Sequence, residues 1–153
     1  MEINSSFYRP HRTGTYERWA AFVLEEFRFA VKVLKAITHE RRLKQAGDLL
    51  DRFVLEVAGL RPKVGPLLVQ LPPSLASQAG VADRFLADLQ SRSAGSVVCE
   101  PRHASWFTPD VDGLLGELRV ARVAADPAPV AGAGEPGGWR SLSYYRLHGS
   151  PRI

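Results

Sequence analysis

Six short apolar runs in this chain alternate with a period of two, and each ends in polar residues. In Phe27-Arg28-Phe29-Ala30-Val31-Lys32-Val33 the phenylalanines and valines fall on one side, while Arg28, Ala30 and Lys32 fall on the other. Gln70 stands opposite Leu67, Val69 and Leu71 in phase, and Glu100 and Arg102 stand opposite Val97 and Cys99. Asp126 alternates with Val123 and Ala125, Arg146 and His148 alternate with Tyr145 and Leu147, and Glu2 and Asn4 flank Ile3. Successive side chains of a strand point to opposite faces, so each run predicts a strand with an apolar face and a face that turns polar near its C-terminal end.

Between these runs the spacing changes to three and four. Thr15 to Val23 predicts a short helix capped by Thr13 or Thr15. Leu43 to Leu60 predicts a longer amphipathic helix, stopped by Gly59 and Pro62. Val81 to Leu89 predicts a third, and Thr108-Pro109-Asp110 opens a fourth that runs to about Arg119. Alternating strands and helices imply a parallel sheet with right-handed crossovers. The expectation is an α/β fold of about six parallel strands in sequence order, helices outside and polar strand ends gathered on a concave side, as in a (β/α) barrel. Lys32, Gln70, Glu100, Asp126 and Arg146 should all face that side. A Gly/Pro/Ala-rich stretch over 127–139 reads as a flexible loop within a single domain spanning 1–153, with Trp139 anchoring its far end in apolar surface.

Composition excludes several classes. A lone cysteine, Cys99, rules out an internal disulfide or a Cys-rich zinc site, and its place on an apolar strand face predicts a buried small hydrophobe. No apolar run reaches the ~18–20 residues needed to span a bilayer, and no leader precedes Glu2, so a cytoplasmic protein without membrane contact is expected. The net charge of +4 mildly favours an anionic partner, whether a small molecule or a nucleic acid. Glycine-rich nucleotide loops, nucleophile elbows and H-E-x-x-H are absent.

The candidate chemistry therefore lies at the strand ends. Lys32, Lys35, Arg102 and Arg146 could hold an anion, with Glu100 or Asp126 as general base and His103 or His148 as acid. Asn4, Tyr8, His39, Gln70 and Trp106 complete the predicted binding surface, with Phe7, Tyr8 and Trp106 as possible stacking rings. Such a set suits a hydrolase or lyase acting on a phosphorylated or polyanionic substrate. No motif requires a cofactor; carboxylate and imidazole could bind a divalent metal, but no spacing selects the ligands. The competing reading is structural: an internal ion network of Lys32, Glu100, Asp126 and Arg146, aromatic plugs, and a non-catalytic anion- or glycan-binding module.

The segments Glu2-Ile3-Asn4-Ser5-Ser6-Phe7-Tyr8, Phe29 to His39, Leu68 to Ser74, Glu100-Pro101-Arg102-His103-Ala104-Ser105-Trp106 and Tyr145 to Gly149 resemble, in order, the motifs of the YecE-like family, domain of unknown function 72. The resemblance spans essentially the whole chain. It implies a TIM-type barrel with a polar site at the residues just named, and no established activity. Two departures stand out. Leu34 occupies a position where the family has proline, which would loosen the presentation of Lys35 and His39. The family's first strand and its last have no counterpart here, and 153 residues fall short of the ~250 of a complete barrel. The resemblance thus implies an incomplete barrel, a truncated product for which an inactive remnant is an alternative to the hydrolase or lyase, and open sheet edges prone to self-association.

Overall fold

The computed structural model describes residues 1–149. Five parallel strands follow one another in sequence order: β1 (Glu2–Ile3), β2 (Phe29–Lys32), β3 (Val64–Gln70), β4 (Val97–Glu100) and β5 (Val120–Arg122). The run that reads as one fifth strand breaks at Val123 into β5 and β6 (Ala124–Asp126). Its Val123 amide still donates to the Cys99 carbonyl at 2.9 Å, so the direction continues. The short β7 (Gly137–Gly138) pairs antiparallel with β5, and β8 (Tyr145–Leu147) pairs parallel with β6. Mostly parallel pairing is as expected. Among the described residues, however, the strands form one six-stranded and one two-stranded sheet, and no closed barrel.

Strand phase sorts the interior into two layers. Phe29, Val31, Val33, Leu67, Val69, Leu71, Val97, Cys99 and Val120 belong to one buried cluster, with Leu50 and Phe53 of α3 (Gly47–Val57), Phe85, Leu86 and Leu89 of α4 (Ala82–Arg92) and Leu115 of α5 (Pro109–Glu117). Cys99 is fully buried there, and burial pushes its thiol well up, so it serves as a small apolar side chain. The opposite face carries a second cluster of Leu68, Val98, Ala121 and Val123, over which Leu142 and Tyr144 pack. The inner face is therefore apolar along its middle and polar only near the strand ends.

The helices follow the sequence with two informative shifts. Thr108 caps α5 by accepting the Val111 amide at 3.3 Å; a single turn, α1 (Ser5–Tyr8), precedes α2 (Thr13–Ala21), whose cap position is Arg12 with no side-chain capping bond, so neither Thr13 nor Thr15 is the cap. The Leu43–Leu60 helix is shorter than its pattern. Arg42, Leu43 and Gln45 have positive φ, so Leu43 reaches the core from an irregular loop and regular helix begins at Gly47. Helix α3 ends at Val57 and tightens into 3₁₀ turns over Ala58–Lys63, which pass through Gly59 and break at Arg61, φ 50°, just before Pro62. At the far end of the loop after Asp126, the Gly138 amide donates to Asp112 Oδ1 at 2.6 Å, and the half-buried Trp139 donates its amide to Val120 at 3.0 Å.

Candidate functional site

Register decides which polar residues meet. Lys32 pairs with Leu68, and Gln70 with Glu100, which puts Lys32, Gln70 and Glu100 on the inner face as expected. In the β6–β8 pair, Ala125 is beside Arg146 and Asp126 is beside Leu147. Arg146 turns inward, so Asp126 turns away with the exposed Leu147. The expectation that Asp126 joins the inner set is corrected here: alternation separates it from Val123 and Ala125, but those apolar residues are the ones that face inward.

Two groups of side chains form at the strand ends. The first is charge-compensated. Arg146 Nη1 donates to Glu100 Oε2 at 2.5 Å, while Nη2 and Nε grip the Glu2 carboxylate at 2.8 and 3.1 Å. Tyr144 donates its hydroxyl to Glu2 Oε2 at 2.6 Å, and His148 Nε2 lies 3.1 Å from Glu100 Oε1. Burial alone would raise the Glu2 carboxyl, but hydrogen bonds from Arg146 and Tyr144 hold it below the usual carboxylate range. Burial and the bond to Glu2 push the Tyr144 phenol well up. Asn4 beside it also helps hold the Glu2 carboxyl down, and a cleft of about 330 Å³ opens among Glu2, Asn4, Arg146 and His148. Glu2 and Tyr144 were not among the predicted site residues. Each shares the strand phase of one that was, Glu2 that of Asn4 and Tyr144 that of Arg146, and this was the available signal.

The second group is cationic and surrounds Phe7. The Lys32 ammonium sits 4.0 Å from the Phe7 ring centroid, and the His39 ring packs edge-on against it at 5.0 Å. Tyr8, largely exposed, meets Phe7 from another side at 5.1 Å. Burial, with the charges of Lys32, Lys35, Arg102 and Arg42 nearby, lowers the His39 imidazole from its ordinary value. Its Nδ1 is paired with Thr38 Oγ1 at 2.7 Å. The turn that sets Lys35 and His39 starts at Leu34, whose side chain is buried and whose carbonyl accepts from Ile37 and Thr38. Among the described residues, Lys32, Lys35 and Arg102 make no ion pair, and Arg102 Nε is buried without a partner.

His103 and Trp106 are occupied elsewhere. His103 Nδ1 accepts the Ser105 amide at 3.1 Å and caps the turn Ala104–Trp106, whereas the Trp106 indole is buried and donates to the Leu75 carbonyl at 2.8 Å. Trp106 is thus a plug between loops, unavailable as a stacking surface. No three His, Cys, Asp or Glu side chains converge as metal ligands among the described residues. A hollow of about 650 Å³ lies between the approach to α3 and α4 and contains none of the strand-end residues.

Comparison with known proteins agrees with this architecture. The family model described as protein of unknown function DUF72 matches residues 1–152. Among curated relatives, the UPF0759 protein YecE of Escherichia coli K12 is 27% identical over 139 residues, covering 87% of this chain and 50% of that protein. Its counterpart in Escherichia coli O157:H7 is 29% identical over the same extent. The chain therefore spans about half the length of the curated relatives it matches. Two crystal structures of DUF72 family proteins share the fold at 20% identity: one from Enterococcus faecalis V583 (TM-score 0.74, 97% of this chain, 64% of that one) and one from Thermotoga maritima MSB8 (TM-score 0.72, 98% and 60%).

Proposed function

The chain belongs to the DUF72 family of proteins of unknown function, and we propose that its strand ends form an anion site serving a hydrolase or lyase of a phosphorylated or polyanionic substrate. The observation that supports this most is the asymmetry of the two groups. Both inner carboxylates, Glu2 and Glu100, are already engaged by Arg146, His148 and Tyr144, while Lys32, Lys35 and Arg102 pair with no acid among the described residues. A buried donor without a partner costs free energy that an oxyanion would recover through charge-assisted bonds. Arg146, bound on both sides, serves the framework rather than the ligand. Its neighbour His148 is the best acid–base candidate: Glu100 fixes the ring through Nε2, and Nδ1 has no partner among the described residues and could exchange a substrate proton. The surrounding family fold fits a section of a TIM-type barrel, whose chemistry gathers at this end of the strands.

The completeness of the Glu2–Arg146–Glu100 network also favours a second reading, a non-catalytic binding module for anions or glycans, with Tyr8 as the exposed ring. Titration of phosphate, phosphosugars, short oligonucleotides and a neutral sugar, each at low and moderate salt, separates the two classes of ligand. Anion binding that weakens as salt rises, and that falls at least fivefold in Arg102→Gln, is the expected result. Preference for the neutral sugar, indifferent to salt, would replace the anion site with a glycan site; anion binding without turnover of any phosphate ester would leave the binding module.

A further inference from the structure

We propose that Lys32 is a nucleophilic amine that forms an imine with the carbonyl carbon of an anionic aldehyde or ketone held at the strand ends; this rests on the anion-site reading above and narrows the substrate class. Lys32 is the innermost of the four lysines. The residue is only 8% exposed, and its ammonium lies over the Phe7 ring. The backbone beneath is pinned, because the Ser6 hydroxyl donates to the Lys32 carbonyl at 2.6 Å. The amine nevertheless has no hydrogen-bond partner among the described residues and is not among the sealed polar atoms, so its tip opens to the inner face.

The charges facing it are Arg146 and Arg102 on one side and Glu100 and Glu2 on the other. Both carboxylates are spent on Arg146, with His148 and Tyr144 completing them. Burial first, and Arg146 second, lower the Lys32 amine from its ordinary value and enlarge the neutral fraction that can attack a carbonyl. Desolvation beside another cation is a recognised way to activate a lysine for Schiff-base chemistry. The other lysines lack this setting: Lys35 and Lys44 are exposed, and Lys63 donates to the Ala20 and Val23 carbonyls.

The step balances without further reagents. The Nζ lone pair forms a C–N bond as the carbonyl π pair moves to oxygen, giving a carbinolamine after proton transfer from nitrogen to oxygen. The hydroxyl then leaves as water with a second proton from nitrogen, giving the imine. Borohydride, added as an external reductant, delivers hydride to the imine carbon and fixes the adduct as a secondary amine.

Pyridoxal 5′-phosphate, which joins an aldehyde to a phosphate, is the probe. The wild-type protein is treated with it at neutral pH, reduced with borohydride, digested and mapped by mass spectrometry. Label on Lys32 at least tenfold above Lys35, Lys44 and Lys63, slowed by inorganic phosphate, is the expected result, with Lys32→Arg losing it and no other lysine taking it up. Equal labelling of all four, or preference for the exposed lysines, would overturn the proposal. If phosphate binds but Lys32 is not labelled, the imine is wrong and the anion site stands; if Lys32 is labelled with no effect of phosphate, the amine is reactive and the anion site is wrong.

Discussion

Arg146 is the residue on which the inner face depends most. Its side chain is 10% exposed and bridges Glu100, 2% exposed, to Glu2. Removing one partner of a buried pair strands the other, at a cost of about 3–5 kcal/mol. Arg146→Met should therefore lower the denaturant midpoint by an amount of that order, and lysine should not restore it, since an ammonium cannot grip two carboxylates with a fork. The same variant should change the acid limb of stability. The folded Glu2 carboxyl binds its proton less readily than the unfolded one, so its contribution is full above the ordinary value of 4.5 and is lost as pH falls through the lower folded value. Without Arg146 that depression disappears, and urea midpoints measured from neutral pH down to pH 3 should lose this component; an unchanged acid limb would show that Arg146 does not govern Glu2. At this scale the sequence was partly legible. Period-two phase grouped Lys32, Gln70 and Glu100 correctly, and Arg146 with His148, but phase alone does not say which face is inside. Asp126 was misplaced because the inner face carries an apolar layer of its own, Leu68, Val98, Ala121 and Val123. The engagement of His103 and Trp106 depends on Ser105 and on the distant Leu75, which no spacing announces.

Helix positions were legible where the periodic residues are also helical, and misleading where a loop supplies them. Leu43 matches the apolar spacing of α3 yet stands in the left-handed region, φ 68°, and is buried from outside the helix. Gly59 has a different lesson. Its position suggested a helix stop, but the chain keeps turning, and the glycine is required by proximity: a Cβ there would lie 2.5 Å from the Thr13 carbonyl oxygen at the start of α2. Because that obstacle is backbone, Gly59→Ala must push α2 away from the 3₁₀ turn. The expected cost is about 1–3 kcal/mol, in the range of overpacked cores, read from a thermal or chemical melt; a neutral result would show that α2 shifts freely. Gly138 answers for the loop over 127–139. Its φ of 66° and its approach to Val120 require glycine, so this glycine-rich stretch ends in the short β7 paired with β5.

Across the whole molecule, the first and last strands meet through side chains and not through backbone. Tyr144 and Arg146, from β8 and the residue before it, reach Glu2 on β1 over the inner face, so an ion pair links the six-stranded sheet to the β6–β8 pair while the outer edges of β1 and β8 carry no strand partner among the described residues. Apolar surface lies beside both edges. Near β1 a hollow of about 380 Å³ is lined by Met1, Ile3, Trp19, Phe22, Val23 and Phe29, with Phe22 86% exposed. Along β8, Tyr145 and Leu147 are 62% and 80% exposed. Unpaired edges next to apolar surface template further pairing. An ion pair across the inner face offers no backbone donors to satisfy those edges, and a net stability of only ~5–15 kcal/mol is typical of a domain even when fully covered. The isolated 153-residue chain should therefore self-associate in a concentration-dependent way, and charge placed on the apolar edge, as in Phe22→Glu with Leu147→Lys, should shift it toward monomer. Sedimentation velocity over a hundredfold concentration range, with light scattering alongside, checks this. A single monomer boundary at every concentration, together with one sharp cooperative melt, would show that the Glu2–Arg146 link suffices and that the open edges need no partner.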